Sequence, residues 1–418
     1  MVEIGKLALR SLTHGIGRSL RHKSYRIFCL TNFVSMIGIW SQRVAIGWLA
    51  WKLTESGFWL GVVALSEALP LIVLVPISGA IIDRVDRLNL LQKLQKIQVG
   101  IAAILTILVI TGSINIFLLT LLTFIYGLVQ AFHLPLRITI APNLVPKEDL
   151  TPAIGFASTM FNISRFSGPM LAGGIISTYG VGAAFIFGAV CMIVFSVGLK
   201  FVKPIIVAQT LNIKFSLFDD IVAGIKYGFS HSSIGPLLVF IMVTSTFSRA
   251  FMDLFPGFAD HVFGYGPQGL GVLFSAVGTG GIIGSIWVTN YGKTRGLAHI
   301  LLISIFLTSI FLIIFASTNL FHVGVITGVF IGICLAVTAN ASQILIQNTV
   351  AEDMRGRVMS LYSLSYRAFP ALGALLIGFL STWMGLQLPV GICAIIIIFS
   401  LIVIFPRRRR LAAVLEER

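Results

Sequence analysis

Long apolar runs separated by short polar links fill the chain. They cover 25–51, 58–82, 92–112, 115–141, 151–178, 182–202, 233–256, 267–291, 297–317, 321–347, 357–383 and 387–405. Most approach or exceed the ~20 residues a helix needs to cross a bilayer. A closed barrel would need ~10-residue segments of alternating polarity, and none dominates. The pattern predicts an all-α polytopic membrane protein with twelve transmembrane helices. An even count puts both termini on one side. On that side lie Arg18, Arg21 and Lys23, then Arg84, Arg87, Lys93 and Lys96, then Lys147. Lys200, Lys203, Lys214 and Lys226, then Lys293 and Arg295, then Arg355 and Arg357, then Arg407 to Arg410 follow. The opposite links hold Lys52 and little else. Basic residues stay on the cytosolic face, so the expectation is an inner (plasma) membrane protein with both termini cytosolic.

The longest link, 203–232, falls between runs six and seven. Ser216 and Asp219 have capping-box spacing, and Leu217, Phe218, Ile221, Ile225 and Phe229 recur at helical spacing. The link therefore reads as an interfacial amphipathic helix. It divides the chain into six-helix halves at 25–202 and 233–405, flanked by a basic cytosolic arm, 1–24, and a basic tail, 406–418. A shift of 205 residues superposes Asn143 on Asn348, Val145 on Val350, Ser158 on Ser363, Gly168 on Gly373, Gly173 on Gly378 and Gly180 on Gly385. Two pseudo-symmetric bundles follow, with a substrate held between them near the midplane.

Composition changes little in this picture. The net charge of +15 would suit nucleic acid, but its alternation between links identifies it as topology. Cys29, Cys191, Cys334 and Cys393 lie inside apolar runs at wide spacing, as small core residues. The histidines are dispersed without metal-ligand spacing, and no Gly-rich loop ends in Lys-Ser/Thr. The chain reads as no enzyme, with no metal and no cofactor. Its energy would come from an ion gradient.

Ionisable residues inside spans are expensive, so they mark function. Arg43, Glu67, Arg165, Arg249 and Arg367 lie inside runs, and Asp253 lies a turn beyond Arg249. Arg43 and Glu67 sit ~12–14 Å below the outer surface, at depths that let them pair. Two readings stand: Glu67 takes up and releases a proton while Arg43 tunes it, or the two form a permanent structural pair. Inward-facing arginines would make the cavity positive and favour an anionic cargo. Gln42, Gln130, Asn162, Asn340 and Gln343 would add polar contacts. Trp40, Trp48, Phe161 and Tyr362 would stack on a flat ring or face lipid.

One charged link is more specific. Gly79, Asp83, Arg84, Asp86 and Arg87 close the second run. The spacing resembles the loop between helices 2 and 3 of major facilitator superfamily transporters: Gly, three residues, Asp-Arg, one residue, a charged pair. The link after the eighth run, Tyr291 to Arg295, lacks the acid. In the fifth run, Gly168, Pro169, Gly173 and Gly174 resemble the exporter signature Gly-Pro, two residues, Gly-Gly, with Ala172 in the first glycine place. Trp48 to Ser56, Ala68-Leu69-Pro70, Ala141 to Pro146 and Arg355 to Ser360 resemble the branch containing the enterobactin exporter and macrolide efflux proteins. The resemblance implies the major facilitator fold, with helices 1 and 7 lining the cavity. It also implies export and a latch in which Asp83 meets the helix start at Arg355-Gly356-Arg357. Without that latch, Arg84 and Arg87 are topology anchors alone.

The expected function is a secondary active exporter, a proton antiporter working by alternating access. Its cargo would be a small amphipathic, anionic molecule such as a siderophore. The alternatives are a multidrug or macrolide efflux pump and, behind it, a non-transporting sensor with the same fold. The expected partners are the cargo, protons and the lipid bilayer, and no nucleic acid, with the chain acting as a monomer. A latch contact of this kind contributes ~1–3 kcal/mol, enough to bias two conformations. Asp83→Asn is expected to slow or abolish transport while the protein stays in the membrane. Wild-type turnover in that variant, measured with membrane content by immunoblot, removes the latch.

Overall fold

A computed structural model describes residues 16–82, 84–204, 226, 234–350, 354–407 and 416. Asp83, the proposed interfacial helix of 203–232 apart from its first residues and Lys226, and most of the two terminal segments lie outside the described residues. The first bundle comprises α1 (Lys23–Thr54), α2 (Gly57–Ile82) and α3 (Arg87–Ile110). With them stand α4 (Ile116–Ile140), α5 (Leu150–Tyr179) and α6 (Val181–Gly198). The second comprises α7 (Ile234–Arg249), α8 (Gly266–Tyr291), α9 (Leu297–Ser317) and α10 (Phe321–Thr349). The eleventh span is two helices, α11 (Arg355–Arg367) and α12 (Phe369–Met384), and α13 (Gln387–Ile404) is the last. Among the described residues eleven spans are long and apolar enough to cross a membrane, and only α5 falls short.

Two spans depart from the expected continuous helices. The seventh stops being α-helical at Arg249 and continues as a tight turn, Ala250–Leu254, then Phe255–Gly257 and a wide turn, Phe258–Val262. Pro256 has no amide hydrogen to extend the ladder. Phe251, Phe255 and Phe258 pack around Phe315 of α9, which holds the irregular segment in place. The eleventh breaks at Ala368, because Pro370 cannot donate to the carbonyl one turn back.

Glycines let the helices approach closely. A Cβ on Gly127 of α4 would lie 2.5 Å from the Glu67 carbonyl oxygen of α2. A Cβ on Gly280 of α8 would collide with the Val329 carbonyl of α10, whereas one on the next residue, Gly281, meets nothing. The repeat has a direct structural meaning. Gly168 of α5 seats on α1 at Trp40, and Gly173 meets Pro267 and Gly271 of α8 across the interface. Their counterparts do the same: Gly373 seats on α7 at Thr246, and Gly378 meets Gly57 of α2 across the interface.

The contacts between bundles share one half of the membrane. Gly61 abuts Ala374 and Leu375, Gly47 abuts Pro256, and the Ser275 hydroxyl donates to the Phe166 carbonyl at 3.4 Å. Lys52 Nζ and Trp51 Nε1 both donate to Asp260 Oδ2 at 2.9 Å. All of these lie in the half remote from the termini. The molecule is closed at the face away from its termini.

Described residues of both terminal segments bond to their own bundle. Arg18 Nε and His22 Nε2 approach the Asp149 carboxylate at 2.6 and 2.7 Å. The end of the basic arm next to α1 is thus tied to the start of α5. Glu416 accepts from the Gly296 and Ala298 amides at 2.7 and 2.8 Å, so a carboxylate caps the positive end of α9.

Gly280→Leu is expected to destabilise the second bundle by ~1–3 kcal/mol through overpacking, with Gly281→Leu nearly neutral. Thermal melting of both variants in detergent checks the contrast, and equal melting temperatures contradict the helix packing.

Candidate substrate and coupling site

The irregular end of the seventh span brings charge to the bundle interface. Asp253 lies in the tight turn after Arg249, and its Oδ1 accepts from an Arg43 Nη at 3.4 Å across the interface. Arg43 belongs to α1, and 48% of its side chain is accessible although it lies eleven residues from the helix end. That exposure, with a partner in the other bundle, places its guanidinium in the space between bundles. Glu67 of α2 is half-buried and within electrostatic reach of both Arg43 and Asp253, yet makes no ion pair within 4.0 Å among the described residues. The Arg43–Glu67 pair of the sequence reading is thus replaced by Arg43–Asp253. The turn that carries Asp253 inward is the feature that helical periodicity does not contain.

Two further arginines gather here. The Arg43 and Arg165 guanidiniums each lie 5.9 Å from the Trp40 ring centroid, and Phe161 meets that ring edge-on at 6.3 Å. Arg249 lies 4.9 Å from the Tyr366 ring, with its Nε unpartnered and buried. Arg165 feels the charges of both Arg249 and Arg43. Arg43 and Asp253 thus meet at the bundle boundary, with Arg165 over the same Trp40 ring, Glu67 within electrostatic reach of Arg43, and Arg249 within reach of Arg165. Such rings hold cations by their faces and flat ligands by stacking.

Other expected site residues are placed differently. Gln42 is 3% exposed and packs on Gly188 of α6 inside the first bundle, so it does not line the cavity. Tyr362 donates to the Ala339 carbonyl at 2.6 Å and is buried in the second bundle. Asn162 turns back on its own helix to the Ser158 carbonyl. Asn340 is half-buried and Gln343 exposed on α10. Arg367 ends α11. In the charged link, Asp86 caps α3 by accepting from the Leu88 and Asn89 amides, while Arg355 and Arg357 stand in the first turn of α11. Of the exporter motif, Pro169 sits within an unbroken α5 and Gly174 faces open space.

Sequence reasoning missed a second polar centre inside the first bundle. Arg137 of α4 is 5% exposed, donates to Ser35 Oγ at 2.9 Å and to Gln95 Oε1 at 3.4 Å, and stacks on Phe195 at 4.6 Å. His133, fully buried one turn earlier, meets the same Gln95 oxygen at 2.8 Å. The Gln95 amide donates to the Met192 carbonyl, so its oxygen can only accept and His133 Nε2 carries the hydrogen. Arg137 has no carboxylate partner among the described residues. Three residues from the end of α4, it reads as an ordinary helix-end cation. The available signal was its place inside an apolar run.

The fold agrees with known proteins. The nucleoside transporter NupG superposes with a TM-score of 0.74 at 12% identity, covering 92% of this chain and 98% of that one. A bacterial homologue of the human lysosomal transporter Spinster, in an inward-facing and unoccupied conformation, gives 0.71 at 14% identity over 93% and 98%. These likenesses show the fold. The model of the transmembrane secretion effector family matches residues 18–415, and the chain belongs to that family. It is 24% identical to the staphyloferrin A transporter of Staphylococcus aureus over 94% of this chain and 98% of the relative. It is 23% identical to macrolide efflux protein A of Streptococcus pyogenes over 78% and 82%. The chain is therefore a multi-pass membrane transporter of small molecules and not an enzyme.

Gln95 alone holds His133, Arg137 and the Met192 carbonyl together. Gln95→Leu leaves buried donors and a charge short of partners and is expected to cost ~2–4 kcal/mol. Thermal melting of the variant checks it, and an unchanged melting temperature contradicts the network.

Proposed function

We propose that this transporter exports a small amphipathic anion such as a siderophore in exchange for protons, by alternating access. The observation that carries the reading is the pair Arg43 and Arg165 at Trp40, with Arg249 over Tyr366 within electrostatic reach of Arg165. Three guanidiniums outnumber the two carboxylates there, and a low-dielectric cavity with excess positive charge attracts anions. Arg165 and Arg249 have no acidic partner among the described residues, so they are the groups to meet the cargo. Glu67 is the proton carrier, in a cavity where its charge is costly and its neighbours are Arg43, Tyr126 and Asp253.

The staphyloferrin A transporter among the relatives supports a siderophore-like cargo. With both termini cytosolic, the closed face would be the outer one, and loading would take place from the cytosolic side, as an exporter requires. Asp83 with Arg355 and Arg357 would latch the cytosolic side in the opposite conformation, with Gly79, Arg84, Asp86 and Arg87 shaping that link. The exporter works as a monomer. A second reading, macrolide or multidrug efflux, is favoured by the macrolide efflux relatives and by the Trp40–Phe161 aromatic pair, which would stack on a flat cargo.

The test compares cells lacking the protein with the parent under scarce iron. A catecholate or carboxylate chelator is expected to vanish from the medium and accumulate inside. Cells that carry only Glu67→Gln should show the same defect with normal membrane content. Unchanged secretion overturns the siderophore reading and moves drug efflux ahead. Normal export by Glu67→Gln overturns the coupling role.

A further inference from the structure

Arg43 stands between two carboxylates that belong to different bundles. Asp253 of the second bundle holds it at 3.4 Å, while Glu67 of its own bundle lies within electrostatic reach without pairing. Charge-assisted hydrogen bonds between these groups are ordinarily about 2.7–2.9 Å, so the grip on Asp253 is partial. When the bundles part on this face, Asp253 moves away with the second bundle. Arg43 then faces the loss of its partner in a low-dielectric cavity, a costly state for any charge. Among the described residues Glu67 is the other carboxylate in reach.

We propose that Arg43 is exchanged between these two acids: it holds Asp253 while the face remote from the termini is closed and passes to Glu67 when that face opens. Asp253 is thus a second coupling residue, a positioning group that competes with the proton carrier for one cation. The charge on Glu67 then sets how readily this face opens. The charged and titratable groups facing the trio are Arg165 of α5 towards Arg43, and Tyr126 of α4 towards Arg43 and Glu67. Neither Arg165 nor Tyr126 offers Arg43 a competing carboxylate. The nearby Lys52–Asp260 contact differs in place: Lys52 lies in the last turn of α1, at the membrane surface, and among the described residues pairs within 4.0 Å with Asp260 alone. It is a plain clasp, and removing it exposes the exchange.

This inference deepens the proposed proton coupling and rests on it for its consequence, but its test needs neither cargo nor gradient. Spin labels at Ser113→Cys and Leu320→Cys, on exposed links of the two bundles at the closed face, report the opening by pulsed electron resonance in lipid nanodiscs. The full chain carrying Asp260→Asn is the background. Asp253→Asn frees Arg43 for Glu67 and is expected to raise the open population about fivefold to tenfold, the weight of one ordinary hydrogen bond, as the long 3.4 Å contact implies. Glu67→Gln leaves Asp253 as the remaining acid and is expected to lower it by a similar factor. Asp253→Glu should keep the background distribution. A purely structural pair gives no opposite shift from Glu67→Gln. Distances unchanged by Asp253→Asn, or not shortened by Glu67→Gln, overturn the exchange. A protein that shows both shifts yet exports no chelator keeps the exchange and loses the siderophore reading.

Discussion

Backbone contact through glycine is the constraint on which the closed face depends. Gly173 against Gly271, and Gly378 against Gly57, bring helices of opposite bundles to a distance no side chain permits. Each contact is one end of a three-helix arrangement, with a second glycine five residues earlier seated on the helix of its own bundle. The two arrangements are copies, so closing the molecule is a symmetric event built from one duplicated piece. Such contacts rest on dispersion and packing, with little polar grip. They part without leaving unsatisfied groups, as a surface that must open and close requires.

The charges follow the opposite logic in the two places where they are buried. Arg137 is enclosed by oxygens and an aromatic face of its own bundle, which fixes α4 to α1 and α3. Arg43, Arg165 and Arg249 face a boundary between bundles whose width changes during transport. A cation whose partners stay with it is structural. A cation whose partner belongs to the moving half feels every change of conformation as a change in free energy.

Much of this was legible in the sequence. Run length and basic links are dictated by the bilayer itself, so twelve spans and two halves followed directly. The 205-residue shift picked out the glycines that now prove to make equivalent contacts. Arg43, Glu67, Arg165 and Arg249 were legible because charge in an apolar run is costly wherever it points. Pairing was not legible. Asp253 reaches Arg43 only because the seventh span unwinds after Arg249, and Gln42 is hidden because it falls on the α6 side of α1. Those facts depend on helix rotation and on local breaks at Pro256 and Pro370, which a strict 3.6-residue period does not record.

The modest apolarity of α5 bears on how the chain is made. Of the spans, α5 alone lacks the hydrophobic surplus that lets a helix partition into lipid unaided, and it carries Arg165 and Asn162. Its partner α1 is already in the membrane when α5 emerges from the ribosome, so Gly168 has a seat at once. Its other partner, α8, is synthesised only after the whole first half. Until then one flank of α5 has no protein against it, and its insertion must lean on α1 and on the translocation machinery. Biogenesis of this half is therefore cooperative, and a substitution that loosens α1 from α5 would be felt first as failed membrane integration and only later as lost transport.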